Sequence, residues 1–376
     1  MKMLFALSLT LVLGAAFAGA QSLMKDRPTV VLEGKAAQLT VDLGGGSIAD
    51  FHLSDQPLNP LSWDSWSFSP KPDSTPSPDS TRSMGHFLCL DRWGPASDAE
   101  IKNGMGWHGE ATRVTWKAPD KAKKKDGRIH TEMTAELPMG GLSVKRSIAL
   151  AESQALFVVT EQVTNQNKLG RLYNIVQHPT IGPPFLDEQT LVDANGRKGF
   201  MQGSPMPNPE EPAVFWPQAL NRDGEMVNIR HLSDDADPAV VSYVIDEEYG
   251  WVTASSPTTG LLIGYIWKTC EYPWFDAWRH AANGKPFARG LEFGTSGLHQ
   301  PFPILIKKGK IFGRSIYEYL DAGETASKSY ACFLFKIPAD YQGVASLSYA
   351  EGKLTLHERD GKPDRDLVME VGSLFP

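Results

Sequence analysis

From residue 37 to residue 337 the chain keeps alternating apolar and polar residues with a period of two, and this alternation limits its fold more than any other feature. Ala37 to Leu43 sets Leu39, Val41 and Leu43 on one face. The same period runs through Ala111 to Lys117, Arg128 to Leu137, Leu142 to Leu150 and Ala155 to Thr164. It returns less cleanly in Arg171 to His178, Val240 to Asp246, Gly260 to Trp267 and Ser327 to Ile337. Successive side chains of a strand point to opposite faces, so each segment reads as a strand with one face buried. Helical periodicity is nearly absent, and Ile316 to Leu320 is expected to form a helical turn or two at most. With 34 Gly and 27 Pro to turn the chain, the pattern predicts an all-β protein, a large many-stranded β-sandwich.

The amino terminus has a separate pattern. Lys2 is followed by an apolar run from Leu4 to Phe17, and Ala16-Phe17-Ala18 and Ala18-Gly19-Ala20 offer small-residue cleavage sites. Residues 1–20 therefore read as a secretory signal peptide. The run is shorter than the about 20 residues needed to span a bilayer, so no membrane span is expected. The rest, 21–376, shows no fixed repeat and no composition break and reads as a single domain. Two segments leave the strand pattern: Ser54 to Ser83, holding Trp63 and Trp66, and Gly203 to Pro217. Ordered loops of that length in a compact domain usually carry function. Lys121 to Lys125 reads as a solvated hairpin tip.

Charge and cysteine content narrow the function. Lys and Arg total 37 against 44 Asp and Glu, a net charge of -7, which argues against nucleic acid as a partner. Cys89, Cys270 and Cys332 are far apart and lie in or beside apolar stretches, as buried thiols do. No CxxC, HxxxH or HExxH occurs, so neither a metal nor another cofactor is expected.

Four stretches place polar side chains near strand ends beside Gly or Pro: Gly85 to Pro95, Gly104 to Ala111, Val176 to Leu186 and Arg289 to Thr295. In order they carry Arg92, the pair His108-Gly109, His178 and Glu292. With them the chain resembles the galactose mutarotase-like (aldose 1-epimerase) superfamily, whose motifs run as a Gly-flanked strand, a His-Gly pair, a strand-end His and a late Glu. Pro273 to Trp278 resembles a further strand of that family. Phe87 and Asp91 stand where the family's first motif has prolines.

The resemblance implies the galactose mutarotase-like supersandwich, a monosaccharide or oligosaccharide as partner, and catalysis without a cofactor. It implies His178 and Glu292 as catalytic residues and His108, with Arg92 or Arg82, as sugar contacts. Asp234, Asp235 and Asp237 match the family's sugar-contacting aspartate by spacing alone. Trp107, Trp274, Trp278 and Trp93 are candidate stacking surfaces for a sugar's C–H face. Exchanging anomers means taking a proton from O1 while giving one to the ring oxygen O5, which one base and one acid can do. Glu292 is expected as the base and His178 as the acid, converging from opposite sides of a sugar-sized space. Two rival readings remain open: a non-catalytic carbohydrate-binding protein, and a glycoside hydrolase or lyase, for which Asp276 or Glu271 would have to face Glu292 across a groove. His52, His86, His130, His231, His280, His299 and His357 read as surface or structural. The oligomeric state is open.

Overall fold

A computed structural model describes residue 24, residues 26–68, residue 77 and residues 80–375. The signal peptide expected at 1–20, like part of the Ser54 to Ser83 segment, lies outside the described residues. Among those described, two large antiparallel sheets dominate. One has eleven strands in the order Thr29–Glu33, Ala37–Asp42, Ile48–Leu53, His86–Asp91, Arg171–Ile181, Lys285–Gly294, Trp274–Ala282, Val240–Val244, Lys198–Met201 and Val214–Phe215, with Glu318–Leu320 paired to the start of Arg171–Ile181. The other has eight, in the order Leu191–Ala194, Tyr249–Ser256, Leu261–Lys268, Thr325–Lys336, Leu156–Asn165, Leu142–Ala151, Arg128–Leu137 and Lys123–Lys125. No helix among the described residues is long and apolar enough to cross a membrane.

The alternation becomes burial as the strand rule requires. Arg128–Leu137 buries every second residue, and the inward sets of both sheets merge into one apolar core that includes Leu39, Leu88, Ile175, Leu291 and Phe293 from the first and Val144, Val159, Ile263 and Tyr265 from the second. A three-stranded sheet, Val344–Ala350, Lys353–Glu358 and Leu367–Glu370, packs on the outer face of the eight-stranded sheet through Leu354, Leu356 and Met369.

Several elements differ from expectation. Ile316 to Leu320 is not helical: Glu318–Leu320 adds a short strand, Leu320 pairing with Arg171. Ala111 to Lys117 is not a continuous strand. Ala111–Arg113 forms a 3₁₀ turn, and the Trp116 indole N–H reaches back to the Ala111 carbonyl at 2.9 Å. Lys123–Lys125 is an exposed edge strand rather than a hairpin tip. The turn beyond it is Asp126-Gly127, both residues at positive φ as a two-residue hairpin demands, and a lysine edge resists pairing with other chains. Cys89 and Cys332 are buried free thiols, but Cys270, in a turn, is exposed.

One polar cluster crosses the apolar core. Arg146 and Glu161 stand opposite each other on neighbouring strands, joined at 2.7 Å and almost wholly buried. From the other sheet Gln177 donates to the second Glu161 oxygen at 2.6 Å and lies 3.1 Å from His86, while Arg146 sits over the Trp116 ring. Removing one member of such a pair strands a buried charge, which costs about 3–5 kcal/mol. Arg146→Met is therefore expected to lower the unfolding free energy by about that much in urea titration; a loss under about 1 kcal/mol would show that the cluster contributes little.

Candidate active site

The outward face of the eleven-stranded sheet carries a row of side chains set by strand register. Phe87 pairs with His178 and Asp276 with Glu292; Gly290↔Thr180 and Phe293↔Gln177 place Glu292 opposite His178. Ser242, opposite Asp276, extends the row. Phe87, His178, Glu292, Asp276 and Ser242 thus line up across five adjacent strands. Leu291 and Phe293 face the core, so Glu292 between them must face away from it.

A cavity of about 700 Å³ opens over this row, in the range of small-molecule sites. His178 and Glu292 are part of its floor. Its walls come from loops: Trp63, Ser65 and Thr81 to Ser83 from the long loop, Trp93, then Trp107, His108, Thr112 and Arg113, and His299. Trp278 and Phe87 flank His178, Phe87 stacked on it with ring centroids 4.1 Å apart and Trp278 edge-on at 5.7 Å.

His178 and Glu292 touch. Nε2 lies 3.2 Å from Oε1, and the Trp93 indole N–H donates to the other carboxyl oxygen at 2.8 Å. Burial pushes the Glu292 carboxyl well above the usual carboxylate range, and neighbouring Asp276 pushes the same way, against the Trp93 hydrogen bond. Burial also pushes the His178 imidazole well below its ordinary value. Both shifts favour the neutral forms, a carboxylic acid set beside an imidazole. The tautomer follows from the network: the Thr180 hydroxyl points at the His178 carbonyl, 3.4 Å away, and accepts from Nδ1–H at 3.0 Å. That leaves Nε2 as the unprotonated nitrogen, facing Glu292 Oε1.

Asp276 is fully enclosed and off the cavity. Burial raises its carboxyl well above the ordinary range, against an opposing pull from Ser242, and neither Asp276 oxygen meets a donor in hydrogen-bonding geometry.

His108 adopts positive φ, and the chain turns there because Gly109 passes directly over Leu90, where a Cβ would lie 2.1 Å from the carbonyl oxygen. The Gly94 N–H donates to Nδ1 at 3.1 Å, and the Trp107 indole N–H faces Nε2 at 2.8 Å. A neutral imidazole has one acceptor nitrogen. The Gly94 N–H and the Trp107 N–H therefore compete for that one acceptor. Trp107 is 57% exposed and is the partner free to move. Burial, with His178 and His299 nearby, keeps His108 neutral by pushing its pKa well below the ordinary value.

The remaining expected contacts divide. Arg82 lines the cavity, its Nε 3.3 Å from Asp64. Arg92 does not: it bonds Asp91 at 3.0 Å and Glu100 at 2.8 Å and lies over Phe302. Neighbours on a strand point apart, but the strand ends at Asp91, so the two side chains turn to the same side. Trp274 is buried among Phe200, Leu298 and Leu305 and donates to the Ser315 carbonyl, away from the cavity. Asp237 binds exposed Arg222, and Glu271 accepts from the Ser329 N–H on the other sheet. Sequence reasoning missed Trp63, Phe87, Arg113 and His299. Trp63 sits in a loop already marked as functional; His299 is an isolated histidine with no motif around it. No group of three or more His, Cys, Asp or Glu among the described residues is arranged to hold a metal ion.

No protein-family model and no curated protein matches the chain. Solved structures do. A galactose mutarotase related enzyme from Lactobacillus acidophilus is 12% identical, over 83% of this chain and 98% of that one, with a TM-score of 0.56. A galactose mutarotase-like protein from Lactobacillus casei is 13% identical over 82% and 100%, also at 0.56. A candidate aldose 1-epimerase from Klebsiella pneumoniae is 15% identical over 85% and 87%, at 0.53. The architecture is that of the mutarotase-like sandwiches. The chain has the galactose mutarotase-like fold, as its motifs implied.

The protonation inventory is directly testable. At pH 7 the infrared spectrum should contain protonated carboxyl bands that Glu292→Gln and Asp276→Asn each reduce. A wild-type spectrum unchanged in that region by either substitution would place both groups in the carboxylate form.

Proposed function

We propose that the protein is an aldose 1-epimerase, acting on a monosaccharide bound over the His178–Glu292 contact. The observation that carries this reading is the contact itself: a carboxyl group and an imidazole, 3.2 Å apart, on the floor of a cavity. The two oxygens that must exchange protons, O1 and O5, sit on the same anomeric carbon. A side-by-side pair therefore suits them better than groups on opposite sides of the ring.

In the resting state Glu292 holds the proton and His178 Nε2 is free to accept one, the reverse of the roles expected from sequence. Glu292 gives its proton to O5 as the C1–O5 bond breaks, and His178 takes the proton of the O1 hydroxyl as C1=O1 forms. The pair is then carboxylate and imidazolium with its proton count unchanged, and the Trp93 N–H stabilises the new carboxylate. Rotation about C1–C2 presents the other face of the aldehyde. Closure returns the His178 proton to O1 and the hydroxyl proton to Glu292. The amino-terminal pattern supports an exported protein. The hydrolase or lyase reading gains no such support, because Glu292 is the only carboxyl group among the described residues lining the cavity and Asp276 lies beside it, not across from it.

Exchange between anomers of free aldohexoses, followed by NMR, tests the proposal. Wild type should accelerate exchange for at least one sugar, and Glu292→Gln and His178→Ala should each lower kcat by about 10² or more. Binding with exchange no faster than buffer would favour a carbohydrate-binding protein instead. The active pair carries one proton. A second proton enters on His178, whose pKa is depressed, so the acid limb should fall below the ordinary imidazole value of 6.5. The proton leaves from Glu292, whose pKa is raised, so the alkaline limb should lie well above 4.5. An acid limb at or above 6.5 would contradict this assignment.

A further inference from the structure

The cavity holds a third imidazole that the mechanism leaves unused. His299 follows the Glu292 strand by five residues and lines the same cavity. Its loop is clamped by Gln202, whose carbonyl oxygen accepts from the His299 backbone N–H at 2.9 Å and whose amide donates to the Gly297 carbonyl at 2.7 Å and to Ser242 at 2.6 Å. The ring meets Trp93 edge-on at 4.6 Å and Trp107 at 5.0 Å, and lies 5.5 Å from His108. It packs so closely on Gly94 that a Cβ there would come within 2.8 Å of Cδ2.

The other two imidazoles are committed. His178 uses one nitrogen on Thr180 and turns the other toward Glu292, where the mechanism employs it. Both ring nitrogens of His108 face protein donors, the Gly94 N–H and the Trp107 indole N–H. The His299 ring nitrogens make no hydrogen bond within the protein among the described residues. A rigidly held neutral imidazole with one free donor and one free acceptor matches a hydroxyl group, which is itself both.

Resting on the reading of this cavity as a sugar site, we propose that His299 is a specificity-determining residue that hydrogen-bonds one particular hydroxyl of the bound saccharide. Trp93 and Gly94 fix its position. A sugar lacking that hydroxyl leaves the imidazole unpaired and is rejected, whereas a site of apolar walls alone would tolerate the loss.

The test separates binding from turnover by using methyl glycosides, which cannot open. Binding of methyl glycosides of D-glucose, D-galactose and D-mannose is measured by calorimetry, and the tightest binder is then compared with its monodeoxy analogues. Wild type should lose about ten-fold in affinity for one deoxy position. His299→Ala should lose about as much for the parent glycoside and show no further loss for that analogue, the non-additivity expected of two groups in contact. His299→Gln, which keeps a donor and an acceptor on a similar reach, should recover part of the affinity. If both variants bind the parent and every analogue as wild type does, or if the alanine variant loses affinity evenly across all analogues, the assignment is overturned. Normal binding without anomer exchange would remove the epimerase reading and leave the role of His299 standing. No binding of any glycoside by wild type would overturn both.

Discussion

The strand Arg171–Ile181 ties the molecule together because neighbouring residues on it serve opposite faces. Gln177 points inward and joins the Arg146–Glu161 pair across the two sheets. His178 points outward and meets Glu292. A one-residue slip of this strand would exchange the two, putting an imidazole against the buried pair and an amide on the cavity floor. The interior ion pair and the candidate chemistry are thus fixed by the same register. That pairing runs through Phe87↔His178 on one side and Gly290↔Thr180 on the other.

Burial does the electrostatic work at the site. Formal charge on Glu292, Asp276 and three histidines suggests a highly polar cavity, but enclosure moves each of these groups toward its neutral form: the two carboxyls up, His178 and His108 down, and His299 down to about 4. A neutral acid against a neutral base can pass a proton either way with little reorganisation, which suits a reaction whose forward and reverse halves use the same atoms.

Much of this was legible in the sequence, for identifiable reasons. Long strands with one buried face announce themselves by alternation, so Arg128–Leu137 was predicted residue for residue and Thr325–Lys336 nearly so. Short elements do not. The seven-residue helix Phe302–Lys308, bounded by Pro301 and by Gly309 at positive φ, gives too few turns for a periodicity. Asp98–Lys102 has a capping box of Ser97 and Glu100. For the site, His178, Glu292 and His108 were picked out by motif order and Arg82 only as an alternative to Arg92, and all four line the cavity. Arg92 and Trp274 sit in the right stretches but turn toward internal partners, an outcome decided by where a strand ends and by what the helix covers. Trp63 and Phe87 lie in stretches already marked, but like Arg113 and His299 they join the cavity through tertiary approach of distant segments, which no local pattern specifies.

The division of the cavity between a sheet-borne floor and loop-borne walls has a consequence for how such a protein can diverge. The proton-handling pair is locked to cross-strand pairing and tolerates little change. The rim residues sit on separate connections that can lengthen, shorten or exchange side chains without disturbing that pairing. Ligand preference in this scaffold can therefore drift over evolutionary time while the reactive centre stays where it is.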